Sequence, residues 1–464
     1  MAIEVRHMAK LMLPDETIRA MVLGMYTYES RYQETVYNYH YTRGGLTFLP
    51  PNYAKLEVVA GLLGETIVDQ RNSGSPIINP YELNPNFKLR PYQEKPTQDF
   101  INHVLDKRMG TVHAGCGTGK TVVLTRAAGE MGKRTLVLVD QSNLKSNWVD
   151  AFDFIWGRKL HGLLSTTGKL EDCMITTFQL LAKSPATLAR VKNEYGTVLM
   201  DECHVVKAPT FKQVMSQMDS KYRMSCTATF HCKAFDNGIL EDWTSPICVR
   251  MIDDDALIPR VIWHSTGVDW ASEEPMDFTS LTTPKLAKDH TRNAMILGVM
   301  KNCLERKRRT VVICISNEQA TFLNGLARGL GGRGQVYTGT TTDKVDRKLK
   351  EDVNKGELDF VFTCKKMDKG TDIDSLDTII AAKPNNNKND TEQQSGRIRR
   401  KLPGKPDPEV HDFIDGGELS LAFAKNRNRW YENVDGKGYI ILNSEELEKA
   451  EAILIKKGLT RFRK

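Results

Sequence analysis

The sequence predicts an α/β protein in which two tandem parallel-sheet domains follow a small α+β module. Three observations carry that prediction. Short apolar runs alternate with helical stretches through residues 87–257, as "GTVHAG", "RTLVLVD", "CMITTF", "GTVLMD" and "YRMSCTATF". A second series, "RTVVICIS", "GQVYTGT", "LDFVFTC" and "DTIIAAK", lies within residues 290–445. Runs apolar on both faces belong to strands covered on both sides, as βαβ units around a parallel sheet require. Residues 1–86 lack this alternation.

In that first module, Tyr37, Tyr39 and Tyr41 alternate with Asn38 and His40 ahead of "TRGG" and "LTFLP", the pattern of a β-hairpin with a glycine turn. Two readings of the tyrosines stand: a stacking surface for exposed bases, or the buried face of the hairpin. Arg43, at the turn, is the better candidate for touching nucleic acid. "PNYAKLEVVAGLLG" reads as a short amphipathic helix closed by glycine. Between the two series, residues 258–289 are rich in Ser, Thr, Pro and acidic residues and read as a linker or insertion. Residues 446–464 end in "KKGLTRFRK", a basic tail.

A chain of 464 residues exceeds one compact core, in keeping with two or three domains. Its net charge of +7 suits a polyanion partner without identifying one. The 9 cysteines form no Cys-x-x-Cys pair, so free thiols are expected, not a disulfide or zinc scaffold. No apolar run approaches the ~18 residues that span a bilayer, and the start carries no signal-peptide core. A cytoplasmic protein with no membrane partner is the expectation.

The chemistry begins at "AGCGTGKT", residues 114–121. A relaxed match to this pattern arises by chance in roughly 3 or 4 of a hundred such chains, so context must carry it. A strand enters the loop and a helix leaves it. Backbone N–H groups of Gly115, Cys116, Gly117, Thr118, Gly119 and Lys120 would then face phosphates at a helix N-terminus. Lys120 would reach the β and γ phosphates, and Thr121 would set its hydroxyl on Mg²⁺. "TVLMDECH" supplies the partner carboxylates at a strand end: Asp201 for the metal and Glu202 for the attacking water.

"AGCGTGKT", "DECH", "SCTATF" and "QQSGRIRR", in that order, resemble the motifs of superfamily 2 helicases and translocases of the DExH type. The resemblance covers about four fifths of the chain and implies two RecA-like domains, with ATP and Mg²⁺ as cofactors. It implies that Gln93 of "LRPYQ" reads adenine beside Arg90. It also implies that His204, Thr227 and Thr229 couple the carboxylates to the strand-binding side, and that Gly370 and Asp372 of "KGTDI" contact nucleotide. Gln393, Arg397 and Arg400 fit the arginine motif of the second domain. Three apart on a helix, the two arginines would share one face; a solvated basic run is the alternative.

Candidate phosphate contacts are Gln141, Ser142, Asn143, Thr176, Thr177, Thr338, Thr340 and Thr371, short polar side chains where strands end, with loop caps as the alternative reading; Asp140 and Gln141 stand where relatives carry Pro-Thr. The resemblance is nearest to the UvsW-type helicases of tailed phages and more distant from the XPB and RadD types. This implies action on DNA forks and junctions, branch migration, and association with other replication or recombination proteins in a host-cell cytoplasm. An RNA helicase and a nucleotide-gated clamp that never translocates are the alternatives. No nuclease constellation accompanies these motifs, so a restriction-type translocase would need a partner subunit.

Overall fold

The computed structural model describes residues 2–13, 15–29, 35–41, 46–115, 117–156, 161–165, 167–203, 208–228, 234–253, 255–268, 285–337, 343–364, 373–434 and 438–456. They fall into two compact units, Met1–Asp253 and Asp254–Lys464.

The first unit opens with β1 (Ile3–Val5), β2 (Ala9–Met12) and α1 (Glu16–Gly24). There follow β3 (Thr27–Glu29), β4 (Thr35–Tyr37), β5 (His40–Tyr41), β6 (Leu46–Leu49), α2 (Tyr53–Leu63) and β7 (Ile67–Asp69). Five of these strands form a mixed sheet in the order β5-β6-β2-β1-β7, and β3 pairs with β4. The expected hairpin is the antiparallel β5–β6 pair, and α2 closes on Gly64 in the left-handed region, φ 63°. Tyr37 is 61% exposed while Asn38 between the tyrosines is buried, because the Asn38 amide bonds to Asp242 and Trp243 of the following domain.

That domain runs α3 (Pro91–Lys107), β8 (Met109–Ala114), α4 (Lys120–Met131), β9 (Thr135–Val139), α5 (Lys145–Trp156), β10 (His161–Leu163) and β11 (Cys173–Thr177). It continues through α6 (Phe178–Lys183), α7 (Pro185–Val191), β12 (Thr197–Met200), α8 (Pro209–Met215), β13 (Tyr222–Thr227), α9 (Ala234–Thr244) and β14 (Ile247–Met251). Every neighbouring pair is parallel, in the order β10-β11-β9-β12-β13-β8-β14. All five anticipated strands are present; β10 and β14, the two edges, were not anticipated.

The small module seats on α9 through one buried carboxylate. Asp242 accepts from Lys55 Nζ, Tyr28 Oη and Asn38 Nδ2, each at 2.7 Å. Trp243 Nε1 donates to Asn38 Oδ1 at 3.0 Å. A buried charge is tolerated only when paired and bonded in this way.

The second unit comprises β15 (Arg260–Ser265), α10 (His290–Glu305), β16 (Thr310–Ile313), α11 (Asn317–Gly329), β17 (Gly334–Tyr337), α12 (Asp343–Asn354) and β18 (Phe360–Thr363). There follow β19 (Thr378–Ala381), α13 (Lys388–Gly396), β20 (Glu409–Ile414), α14 (Glu418–Tyr431), β21 (Ile440–Leu442) and α15 (Glu445–Lys456). Its sheet, β17-β18-β16-β19-β20-β15-β21, is again parallel throughout.

Two boundaries shift. Residues 260–265, expected in the linker, are a strand paired on both sides, with β20 and β21. Much of the expected tail is α15, whose Leu447 is buried in the core of this unit. The run Arg306–Arg309 is internal wiring. Arg306 and Arg308 both bond Glu409, Arg308 also pairs with Asp377, and Arg309 donates its N–H to Asp377. Burial opposes ionisation of Glu409, but hydrogen bonds from His411, Arg306 and Arg308 hold it far below the usual carboxylate range.

Among the described residues, no helix is long and apolar enough to cross a membrane, and the described cysteines are free thiols.

Candidate nucleotide and nucleic-acid site

The site is assembled by strand order. β13 lies between β12 and β8, so the strand ends carrying Asp201, Thr227 and the 115–121 loop are adjacent although far apart in sequence. Ligand sites in such sheets lie beyond the carboxyl ends of the strands.

The loop itself is shaped by glycine. Gly117 and Gly119 have φ 79° and 91°, and a Cβ at Gly119 would sit 2.3 Å from Gln93 Nε2. No side chain caps α4, and its first turn holds no acid. Its N–H groups therefore suit an external anion. Gln93 is 4% exposed and bonds both the loop and the start of its own helix. Its Nε2 donates to Thr118 O at 2.7 Å, and its Oε1 accepts from Arg90 N at 3.0 Å. Tyr92 Oη donates to the same Thr118 carbonyl. The adenine-reading expectation for Gln93 thus meets a side chain that braces the phosphate loop, while Arg90 is exposed at the helix start.

Lys120 Nζ donates to Glu202 Oε1 at 2.8 Å. Glu202 takes a left-handed backbone, φ 49°, uncommon for a non-glycine residue. Its Oε2 accepts from Thr227 Oγ1 at 3.4 Å and from the Ala228 N–H at 3.5 Å. Asp201 is 8% exposed and accepts from Trp148 Nε1 at 2.9 Å and Cys226 Sγ at 3.4 Å. Burial first and the Glu202 charge second push its carboxyl up, against Lys120.

Thr121 lies in the first turn of α4 with its side chain half-buried. A hydroxyl and a carboxylate are hard oxygen donors of the kind Mg²⁺ takes. Among the described residues no cluster of three or more His, Cys, Asp or Glu could hold a metal ion by itself. The residues present therefore fit a Mg²⁺-nucleotide.

The expected strand contacts divide. Gln141 and Ser142 are exposed on a short 3₁₀ turn, Ser142–Leu144, ahead of α5. Thr176 is fully buried with its hydroxyl enclosed in the sheet, and Thr177 caps α6 through Leu180 N. Thr176 thus lies within the sheet, and Thr177 serves the start of α6. Asp140, the departure noted in the sequence, accepts from Gln179 Nε2 at 3.2 Å.

In the second unit, α13 ends at Gly396. Arg397 and Arg400 therefore lie in the turn beyond it, not on one helical face; Gln393 is buried within α13, and Arg400 pairs with Asp374. Cys116, His204, Thr229, Thr338, Thr340, Gly370, Thr371, Asp372 and Arg43 lie outside the described residues. At the start of α10, Asp289 caps the helix, and fully buried Arg292 bonds Asp415 at 2.9 Å. Trp148 and Cys226 were missed by sequence reasoning. The "NW" at residues 147–148 and the Cys of "SCTATF" were the available signals, but nothing local told that both face Asp201.

Tandem parallel sheets, the first ending in a lysine-bearing phosphate loop against a carboxylate pair, define a P-loop nucleotide hydrolase. Comparison with known proteins narrows the class. Residues 86–232 match the type III restriction enzyme res subunit family, and residues 293–401 match the helicase conserved C-terminal domain. The chain belongs to the superfamily 2 helicases and is an ATP-dependent nucleic-acid helicase by its domains.

It is 22% identical over 358 residues to a chain described as a probable helicase of Escherichia phage T5, covering 75% of this chain and 76% of that one. It is 22% identical over 419 residues to the general transcription and DNA repair factor IIH helicase/translocase subunit XPB of Drosophila melanogaster, covering 83% and 51%. The structure of S. cerevisiae Dbp5 bound to RNA and ADP BeF3 aligns over 79% of this chain and 97% of its own, with 12% identity and a TM-score of 0.54. That of T4 UvsW covers 95% and 99%, with 13% identity and a TM-score of 0.40.

Proposed function

We propose that this protein is an ATP- and Mg²⁺-dependent DNA helicase or translocase that remodels branched DNA, such as forks and four-way junctions, by strand displacement or branch migration. The observation that carries the motor reading is the bonded series Lys120–Glu202–Thr227, which ties the phosphate loop to the end of the neighbouring strand β13. A γ-phosphate would compete with Glu202 for Lys120, leaving the carboxylate to orient water and altering its hold on Thr227 and Ala228. Bound Mg²⁺ would supply charge neutralisation at the β and γ oxygens; Asp201 and Thr121 are the residues to hold it. Arg397 and Arg400 are the proposed arginines for the γ-phosphate.

DNA as the substrate is supported by the relative named for a DNA repair factor, and the module of residues 1–86 is the proposed accessory DNA-binding part. The exposed Tyr37 and the polar Gln141–Ser142 turn are its candidate contacts.

The test compares the purified protein on a four-way junction, a fork and a tailed duplex, each as DNA and as RNA, with ATP and Mg²⁺. Processing of branched DNA is expected. Opening of RNA duplexes with no DNA structure processed would replace this reading by an RNA helicase, and turnover without strand displacement would replace it by a clamp.

A further inference from the structure

Asp201 is held from behind by two donors that the hydrolysis chemistry does not itself require. The stronger is the indole N–H of Trp148, 2.9 Å from Oδ2; the weaker is the Cys226 thiol, 3.4 Å from Oδ1. Trp148 is fully buried. A buried indole N–H needs a partner, and here that partner is the carboxylate assigned to the metal. A phenylalanine would fill much of the same apolar space without orienting any oxygen.

The position of Trp148 in the chain adds a second relationship. It lies in the first turn of α5, directly after the 3₁₀ turn Ser142–Leu144. Leu144 is buried in the same core cluster as Trp148, together with Val123 and Leu124 of the phosphate-loop helix. Gln141 and Ser142, the exposed strand-contact candidates, thus sit on the polar side of a short rigid segment. Its apolar side ends on Asp201. Close-packed segments of this kind shift as units and do not deform continuously.

We propose that Trp148 is a positioning residue for the Asp201 carboxylate, and that α5 makes engagement of the 141–144 turn by a nucleic-acid strand felt at Asp201 as a change in affinity for Mg²⁺-nucleotide. This rests on the reading of Asp201 as the metal-holding carboxylate and of the 141–144 turn as a strand contact. Trp148 touches neither nucleotide nor strand; it acts through Asp201.

The experiment uses the full chain and binding of a fluorescent ADP analogue, read as a function of Mg²⁺, with and without single-stranded oligodeoxythymidine. In the native chain, the oligonucleotide is expected to lower the Mg²⁺ needed for half-saturation. Trp148→Phe keeps an aromatic ring in the core and removes the donor. It should raise that Mg²⁺ requirement about tenfold or more, as losing an outer-sphere partner does. It should also abolish the oligonucleotide effect and leave nucleotide affinity in EDTA unchanged.

An unchanged Mg²⁺ requirement, a parallel loss of affinity in EDTA, or a retained oligonucleotide effect would each overturn the proposal. If the native chain binds no Mg²⁺-nucleotide, or no strand at all, it is the functional reading that fails instead. A second measurement does not depend on the variant folding. In the native chain labelled with 5-fluorotryptophan, Mn²⁺ with ADP should broaden one fluorine resonance most strongly, that of Trp148. The same resonance should shift when oligodeoxythymidine is added without nucleotide; a resonance that stays in place overturns the coupling.

Discussion

Lys120 Nζ and Glu202 Oε1 form a hydrogen-bonded ion pair at 2.8 Å, with both side chains largely withdrawn from solvent. In the proposed function one ammonium would therefore serve both the water-orienting carboxylate and the phosphates. Lys120→Ala should lower ATP turnover by about 10²-fold or more and weaken nucleotide binding, because a preorganised charge at the phosphates is lost. Glu202→Gln should lower turnover as far while sparing nucleotide affinity. Steady-state turnover beside equilibrium nucleotide binding checks both, and turnover surviving in either variant refutes the assignment.

Gln93 bonds Thr118 O and Arg90 N simultaneously. Gln93→Ala should loosen the phosphate loop, costing about 1–3 kcal/mol from the orphaned buried groups. ATP and GTP affinities should fall together, read by calorimetry. A selective loss for ATP would show that this side chain reads adenine.

Asp242 holds Lys55, Tyr28 and Asn38 of the small module. Asp242→Ala should destabilise the first unit by about 3–5 kcal/mol, since it strands a half-buried lysine. Lys55→Met added to Asp242→Leu should recover much of that loss in urea unfolding. Equal losses in single and double variants would mean that the pair is not coupled.

His264 of β15 bonds His411 Nδ1 through Nε2 at 2.9 Å. Burial, then the neighbouring His411, lower His264 to about 4, against the opposing pull of Asp412 and Glu446. A histidine depressed below its ordinary 6.5 favours the neutral form in the folded state. That contribution is full above about pH 6.5 and is lost as the pH falls toward 4. Between pH 7 and 5 the second unit should lose on the order of 2 kcal/mol from this group. His264→Gln should flatten that slope in urea unfolding, and an unaltered slope would contradict the assignment.

Arg400 pairs with Asp374 beyond the end of α13. Arg400→Ala should reduce kcat for ATP more than it raises KM, whereas equal losses would make it a binding residue. Asp374→Ala, freeing the guanidinium, should leave kcat at or above the native value.

The local chemistry was legible in the sequence because it is local. Val- and Leu-rich runs declared nine of the parallel strands, and "AGCGTGKT" declared a glycine-shaped loop opening a helix. Strands whose burial depends on distant partners were not legible. Glu409, His411 and Asp412 make β20 read as polar, yet all are buried: Arg306 and Arg308 neutralise Glu409, Arg427 neutralises Asp412, and His411 bonds His264, each from another element. β15 lay hidden in what reads as a linker for the same reason: its two partners, β20 and β21, come much later in the chain.

By itself, then, the sequence determined the class of fold, the phosphate loop and the carboxylate pair, since these follow from side-chain pattern and from glycine at special backbone angles. Only the tertiary structure decided which side chains stand behind them. Strand order set Thr227 beside Glu202, close packing set Trp148 against Asp201, and a single buried carboxylate fastened the small module to α9. Each is a contact between residues distant in sequence, fixed by the need to pair buried polar groups, and no local pattern encodes it.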